Sequence, residues 1–191
     1  RNRARLPGLP PLGARMIGAL QNAPVIETER LTLRAPIPSE IAPWVAFLMA
    51  ERGVWHGGGP DAGEGVAWRV AAAFAGHWML NGFGLFVALE KASGRPVASS
   101  GPYAPTDFPE IEVGWSVWSD EDQGKGYASE AARAVIVHCR DDLKMPTLVS
   151  YIAPENTRSC ALAERLGAWR DKDANRPHPD DLVYRHYGEA A

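Results

Sequence analysis

The run Val117-Trp118-Ser119-Asp120-Glu121-Asp122-Gln123-Gly124-Lys125-Gly126-Tyr127-Ala128-Ser129-Glu130 is the part of this sequence best suited to chemistry. A strand-like segment enters a glycine-containing turn, and a helical pattern begins at once. The first turn of a helix leaves several backbone N–H groups without partners, and its aligned peptide dipoles make that end partly positive. Gly124 and Gly126 remove the Cβ atoms that would keep an anion at a distance. These properties specify an anion site over residues 123–128, with a pyrophosphate as the expected occupant. Lys125 either neutralises a phosphate there or extends into solvent, since the geometry does not demand its type.

Two nucleotide-binding patterns fail on this turn. A Walker A loop needs G-x-x-x-x-G-K-S/T, but Ser119 stands where the first glycine belongs and Gly126 follows Lys125 where a hydroxyl is required. The dinucleotide pattern G-x-G-x-x-G fails at Ser129, and no acidic residue closes the next strand, 147–152, to hold a ribose.

The turn has to be positioned by the elements around it. Residues 31–34 alternate as a half-buried strand, and Pro36 and Pro38 end it. Ser39 is placed to cap a helix carrying Ile41, Trp44, Val45 and Leu48 at helical spacing. Residues 56–60, His-Gly-Gly-Gly-Pro, read as a flexible loop by composition. Asp61 and Glu64 have capping-box spacing, and the helix after them is expected to bury Val66, Val70, Phe74 and Trp78. Strands follow at 84–90, 97–101 and 110–118, with connections short enough for an antiparallel meander. Next come a helix over 127–141 with Ala128, Ala131, Ala132, Val135 and Cys139 inward, and a strand over 147–152. A helix capped by Asn156 and stopped by Gly167 leads to a last strand, 182–187. The expected fold is one α/β (α+β) domain over residues 25–191, its mainly antiparallel sheet flanked by about four helices. A strand–helix–strand unit near the C-terminus is expected to be a parallel crossover. Residues 1–24 read as a flexible extension, with Met16 a candidate natural start.

Gln123, Gly126 and Ala128 form the pattern Gln-x-x-Gly-x-Ala, which resembles the acetyl-CoA pyrophosphate loop of the GNAT superfamily of N-acetyltransferases. Other segments, in order over about residues 25–187, are similar to the RimJ/RimL-like branch. They are residues 26–34, Glu112-Val113-Gly114-Trp115, residues 126–131, and Pro154-Glu155-Asn156 with Ser159 and Leu166-Gly167. The resemblance implies a GNAT-like domain with splayed central strands and acetyl-CoA as acyl donor. It implies transfer of an acetyl group to a primary amine, on a small molecule or a protein N-terminus, by direct attack on the thioester. A non-catalytic acyl-CoA binder or sensor of the same fold is the alternative.

By position, Gln123, Gly124, Lys125, Gly126, Tyr127 and Ala128 would hold the pyrophosphate. The main chain at Val117, Trp118 and Ser119 would pair with the pantetheine arm, and one amide there would polarise the thioester carbonyl. Asn156 and Ser159 would lie near the sulfur. Glu112 is the candidate general base, its other reading being a strand-surface glutamate in a salt bridge. The family's thiolate-protonating tyrosine falls here on Ala163, so Ser159 acting through water, or unaided departure of the thiolate, has to stand in. Ser159 also reads as a first-turn helix serine bonded to backbone. Tyr151, Tyr184 and Tyr187 have no placement from sequence, and a homodimer is common among similar proteins.

The remaining composition narrows the classes. The 191 residues are 46% hydrophobic, enough for one buried core. A net charge of -3 without a basic stripe excludes a nucleic-acid binder. Cys139 and Cys160, in no C-x-x-C pair, read as reduced thiols of a cytoplasmic protein. No apolar run suits a signal peptide or a membrane span. The histidines lack ligand spacing, so no metal is expected. His56 reads as a solvated loop residue or as part of the acceptor pocket, and Trp55 as core or pocket wall.

Overall fold

The computed structural model describes Leu20 and residues 22–188. The predicted extension over 1–24 therefore lies largely outside the described residues. Eight strands form one sheet in the order β1-β2-β3-β4-β5-β6-β8-β7. They are β1 (Ile26–Glu27), β2 (Leu31–Arg34), β3 (Phe86–Glu90), β4 (Pro96–Tyr103), β5 (Glu112–Val117), β6 (Leu148–Ile152), β7 (Trp169–Arg170) and β8 (Leu182–Tyr187). Four α-helices accompany them among the described residues: α1 (Ile41–Leu48), α2 (Gly63–Asn81), α3 (Tyr127–Asp141) and α4 (Thr157–Arg165). None of these is long and apolar enough to cross a membrane.

Strand alternation divides the core in two. Phe86 and Ala88 of β3 face the layer closed by α3, where Ala131, Ala132, Val135 and Cys139 are fully buried. Leu85 and Val87 point the other way, onto α1 and α2. There Trp44 is fully buried and contacts Phe74 and Trp118, with ring centroids 5.6 and 5.3 Å away. Each fully buried apolar side chain of this kind contributes roughly 1.5–3 kcal/mol relative to exposure.

All neighbouring strands pair antiparallel except β5 and β6. The parallel crossover is thus the unit β5–α3–β6, while the last strand returns antiparallel onto β6. β5 and β6 share a single register pair, Glu112 with Val149. The Ser150 hydroxyl still reaches the Val113 carbonyl at 2.7 Å, and past that point the two strands part. This is the splay that opens the site.

Three local expectations need correction. Ser39 does not cap α1; it lies inside a 3₁₀ turn, Pro38–Glu40, and Glu40 is the N-cap. Glu40 folds back to accept the Ile37 N–H at 3.0 Å and pairs with Arg34, so the turn is closed by a carboxylate the serine reading overlooked. Asp61 does not form the capping box, because α2 begins from Ala62, whose side chain has no capping oxygen. On α2, Trp78 is buried and Val70 and Phe74 pack against the core as expected, joined by Ala67 and Ala71, and only Val66 of the expected face is exposed. The crossing of α1 and α2 favours the small alanines at the contact.

The glycine run after α1 is loop, as read, but it is tied back onto that helix. Residues Glu51–His56 form a 3₁₀ turn, and the Gly59 N–H binds the Leu48 carbonyl at 2.7 Å. A Cβ on Gly58 would stand 2.1 Å from that oxygen, so glycine is required there for close approach. The packing fixes Trp55 and His56 on the wall of the cleft.

Candidate active site

Between β5 and α3 the chain makes a 3₁₀ turn, Asp120–Asp122, and then the two glycine positions. Gly124 and Gly126 have φ of +75° and +86°, a left-handed conformation that side-chain-bearing residues adopt at a cost. Gly126 is the N-cap of α3, and Glu130 N–H already binds its carbonyl at 3.0 Å. Among the described residues no main-chain acceptor takes the N–H of Gly124, Lys125 or Gly126, and those of Tyr127, Ala128 and Ser129 are the first-turn donors a helix leaves open. Gln123 is different: its N–H goes to the Asp120 carbonyl at 3.2 Å, and its side-chain oxygen accepts from Arg158 at 3.0 Å.

The turn is held from below by residues that sequence reasoning missed. Asp122 is fully buried, and its carboxylate accepts both Arg95 terminal nitrogens at 2.7 and 2.9 Å. It also takes the Ser119 hydroxyl at 2.6 Å and the Lys125 ammonium at 3.2 Å. Arg95 foremost, then Ser119 and Lys125, hold this carboxyl well below the usual range, against the opposing effect of burial. On the other side Glu130 accepts the Thr28 hydroxyl at 2.6 Å and the Arg30 N–H at 2.8 Å. Arg30 reaches over the Tyr127 ring, 4.9 Å from its centroid, and donates to the Lys125 carbonyl at 2.9 Å. The Tyr127 hydroxyl donates to Glu90. The β1–β2 and β3–β4 turns thereby pin the helix start from two directions.

The splay between β5 and β6 holds two joined cavities. One, about 1060 Å³, runs along the glycine turn, the main chain of Ser116 and Val117, and α4. Arg52, Arg158 and Arg165 supply its positive charge. The other, about 590 Å³, lies beyond Glu112 under Tyr103 and Tyr151. Trp55, His56, Trp115, Asn156 and Ser159 line both and mark the junction.

The junction has defined polarity. The Asn156 side chain accepts the Ser159 N–H at 3.3 Å, capping α4 as expected. The Ser159 hydroxyl accepts the Trp115 indole N–H at 3.3 Å, which leaves its own proton free to be donated. Ser159 is therefore tied to a strand indole through its side chain. Burial drives the His56 imidazole down to about 4, so it is neutral at physiological pH. It is no solvated loop histidine, and its ring packs 5.4 Å from Phe47. Glu112 is half-buried at the inner end of β5, and burial, reinforced by the charge of Asp181, pushes its carboxyl up to about 8. No arginine or lysine pairs with it among the described residues, and the Tyr151 N–H is its one lowering influence. The salt-bridge reading of Glu112 belongs instead to its neighbour Glu110, which binds Arg185 at 2.7 and 2.8 Å.

The structure brings together Glu112, Val117, Gln123, Gly124, Gly126, Tyr127, Ala128, Asn156 and Ser159 on the joined cavity walls. Trp118, Ser119 and Lys125 lie off those walls. The Trp118 N–H binds the Val97 carbonyl at 3.0 Å and its indole packs into the α1–α2 core. Alternation along an antiparallel edge then turns Val117 outward to the splay, where Arg52 contacts its carbonyl at 3.4 Å and that of Ser119 at 2.9 Å. Ala163 is fully buried in the core and faces neither cavity. Of the three unplaced tyrosines only Tyr151 borders the site; Tyr184 and Tyr187 pack against the main core. Arg52, Arg158 and Arg165 had no sequence signal, because each comes from an element whose distance to the turn is set by the fold.

Residues 30–168 match the family described as Acetyltransferase (GNAT) domain. The fold is similar to an acetyltransferase from Agrobacterium tumefaciens str. C58 at 35% identity and a TM-score of 0.79, covering 86% of this chain and 94% of that one. A GNAT-family acetyltransferase from Bacillus anthracis shares the fold at 20% identity and a TM-score of 0.64, covering 85% and 95% of the two chains. Among curated proteins, Uncharacterized N-acetyltransferase YnaD of Bacillus subtilis (strain 168) is 33% identical over 60 residues. That match spans 31% of this chain and about a third, 35%, of the relative. An open helix start in a basic groove, joined to an acidic cavity, is thus set in a domain of known type, and the chain belongs to the GNAT family of acetyltransferases.

Proposed function

We propose that this acetyltransferase moves an acetyl group from acetyl-CoA to a primary amine by direct attack of the amine on the thioester. The observation that carries the reading is the row of open N–H groups from Gly124 to Ser129 at the end of a basic groove that leads to Glu112. Those donors suit a diphosphate. Arg52, ion-paired with Asp120 on one side, stands close enough to Arg158 that, after burial, that like charge lowers its pKa, and an anion between the two would offset it. The Val117 main chain, turned to the splay, suits the pantetheine amides, which requires Arg52 to release its carbonyl. The Val117 N–H is then the amide available to polarise the acetyl carbonyl, since that of Trp118 is committed to β4.

Glu112 removes a proton from the ammonium form of the acceptor, and its raised pKa matches it to that task. The amine nitrogen bonds to the acetyl carbon and gives up its second proton as the carbon–sulfur bond breaks, a proton that replaces the one the Ser159 hydroxyl passes to sulfur. Ser159, with its hydroxyl proton uncommitted, donates toward the departing thiolate. The RimJ/RimL-like segments leave a protein N-terminus and a small amine both within the acceptor class. A thiol-release assay with acetyl-CoA and a panel of amines tests the reading: amine-dependent thiol release is expected, and its absence with bound acetyl-CoA would reduce the protein to a binder.

A further inference from the structure

The two halves of the cleft carry opposite charge. The groove along the glycine turn presents Arg52, Arg158 and Arg165. The cavity beyond Glu112 is lined by Asp107, Glu112 and Asp181 and, among the described residues, by no lysine or arginine. His56 and His178 are its other titratable side chains besides two tyrosines. The carboxylates act on a common space: the charge of Asp181 reaches Glu112, and Tyr103 is raised by burial and then by both Glu112 and Asp107. Burial holds Asp181 up against the nearby charges of His178 and Arg176, and Arg176 makes its hydrogen bonds to the carbonyls of Lys172, Ala174 and Asp181. The carboxylates of Asp107 and Asp181 have no hydrogen-bond partner among the described residues, Asp107 lying exposed at the rim and Asp181 half-buried.

The same cavity has an aromatic wall. Phe74, Tyr103, Phe108 and Tyr151 meet edge to face in sequence, with centroids 5.2, 5.9 and 5.5 Å apart. Such rings attract an alkylammonium through their faces and shield its carbon chain. A single ammonium bound for acetylation needs one carboxylate, and Glu112 supplies it. The second pair of acids is surplus to that reaction and faces the same 590 Å³.

We propose that the acceptor is a compact dicationic amine: one nitrogen is acetylated beside Glu112, while a second ammonium rests between Asp107 and Asp181 against the tyrosine and phenylalanine rings. The inference rests on the acetyl-transfer reading above. Acceptors with a carboxylate at that distance, such as amino acids and acidic peptides, are repelled.

The test is a matched series of linear acceptors of equal chain length: a diamine, the monoamine lacking the second nitrogen, and the amino acid with a carboxylate in its place. The expected kcat/KM favours the diamine over the monoamine by about tenfold or more, with the amino acid slowest. Asp107→Asn with Asp181→Asn should bring the diamine-to-monoamine ratio toward one, and Asp107→Asn alone, at an exposed position, should lower it part of the way. Equal rates for diamine and monoamine, or a ratio unmoved by either variant, would overturn the inference. If no amine releases thiol, the acetyl-transfer reading fails; calorimetry of diamine against monoamine on the CoA-loaded protein then still decides the charge assignment, equal affinities sinking it.

Discussion

Replacing Asp122 with asparagine removes the charge that fastens the glycine turn to the rest of the sheet while keeping its shape. The carboxylate is fully buried and accepts from Arg95 twice, from Ser119 and from Lys125. Hydrogen bonds to a charged group contribute about 1.5–3 kcal/mol each and neutral ones about half as much. Arg95 and Lys125 are 41% and 46% exposed, so water recovers part of what they lose. The expected loss is about 2–4 kcal/mol, a fall in Tm of roughly 5–15 °C for a domain of this size. The pH dependence carries a sign. Because the folded carboxyl titrates below its unfolded value, the stabilisation is present above about pH 4 and drains away as pH falls through the folded pKa. Chemical denaturation from pH 8 to pH 3 should therefore show a constant gap between wild type and Asp122→Asn down to about pH 5, closing below pH 4. A gap under about 0.5 kcal/mol at neutral pH, or one that stays constant to pH 3, would refute the charge-anchor argument.

Three further outcomes follow from the site. Gly126→Val places a branched side chain at φ +86° beside the open N–H row, and acetyl-CoA affinity measured by calorimetry should drop at least about tenfold; unchanged affinity would move the phosphate site elsewhere. Wild-type kcat/KM should rise with pH through a midpoint near 8 as Glu112 ionises and level off about one unit higher, whereas Glu112→Gln should lower the plateau about 10²–10⁴-fold and lose that inflection; an unaltered profile would remove Glu112 from proton transfer. Ser159→Ala should slow acetyl-CoA turnover more than turnover of a thioester with a more acidic thiol; equal losses would leave the hydroxyl as a support for Trp115 only.

The glycine turn was legible because its signal is local: a strand, left-handed glycines and a helix start lie within a dozen residues, and α3 and β8 have the limits their patterns predict. Asn156 was legible for the same reason, as a cap read from its own helix. What escaped is non-local. Asp122 reads as one acid in an acidic run, and only the fold brings Arg95 under it. The glycines at 57–59 imply looseness when close packing against Leu48 in fact fixes Trp55 and His56. Trp118 sits beside the site in sequence, yet the strand's alternation of sides turns it into the core. Short strands such as β1 and β7 exist only because a neighbour pairs with them, so their own residues carry no pattern.

The claim beneath the whole account is that backbone donors at the start of α3, with the groove's arginines, grip a diphosphate. Calorimetric titration with CoA and, separately, with pantetheine, which keeps the thiol arm but lacks the phosphates, tests it most directly. Measurable binding of CoA, with pantetheine weaker by about 100-fold or more, is the predicted result. Equal affinities, or no heat from CoA at all, would contradict it.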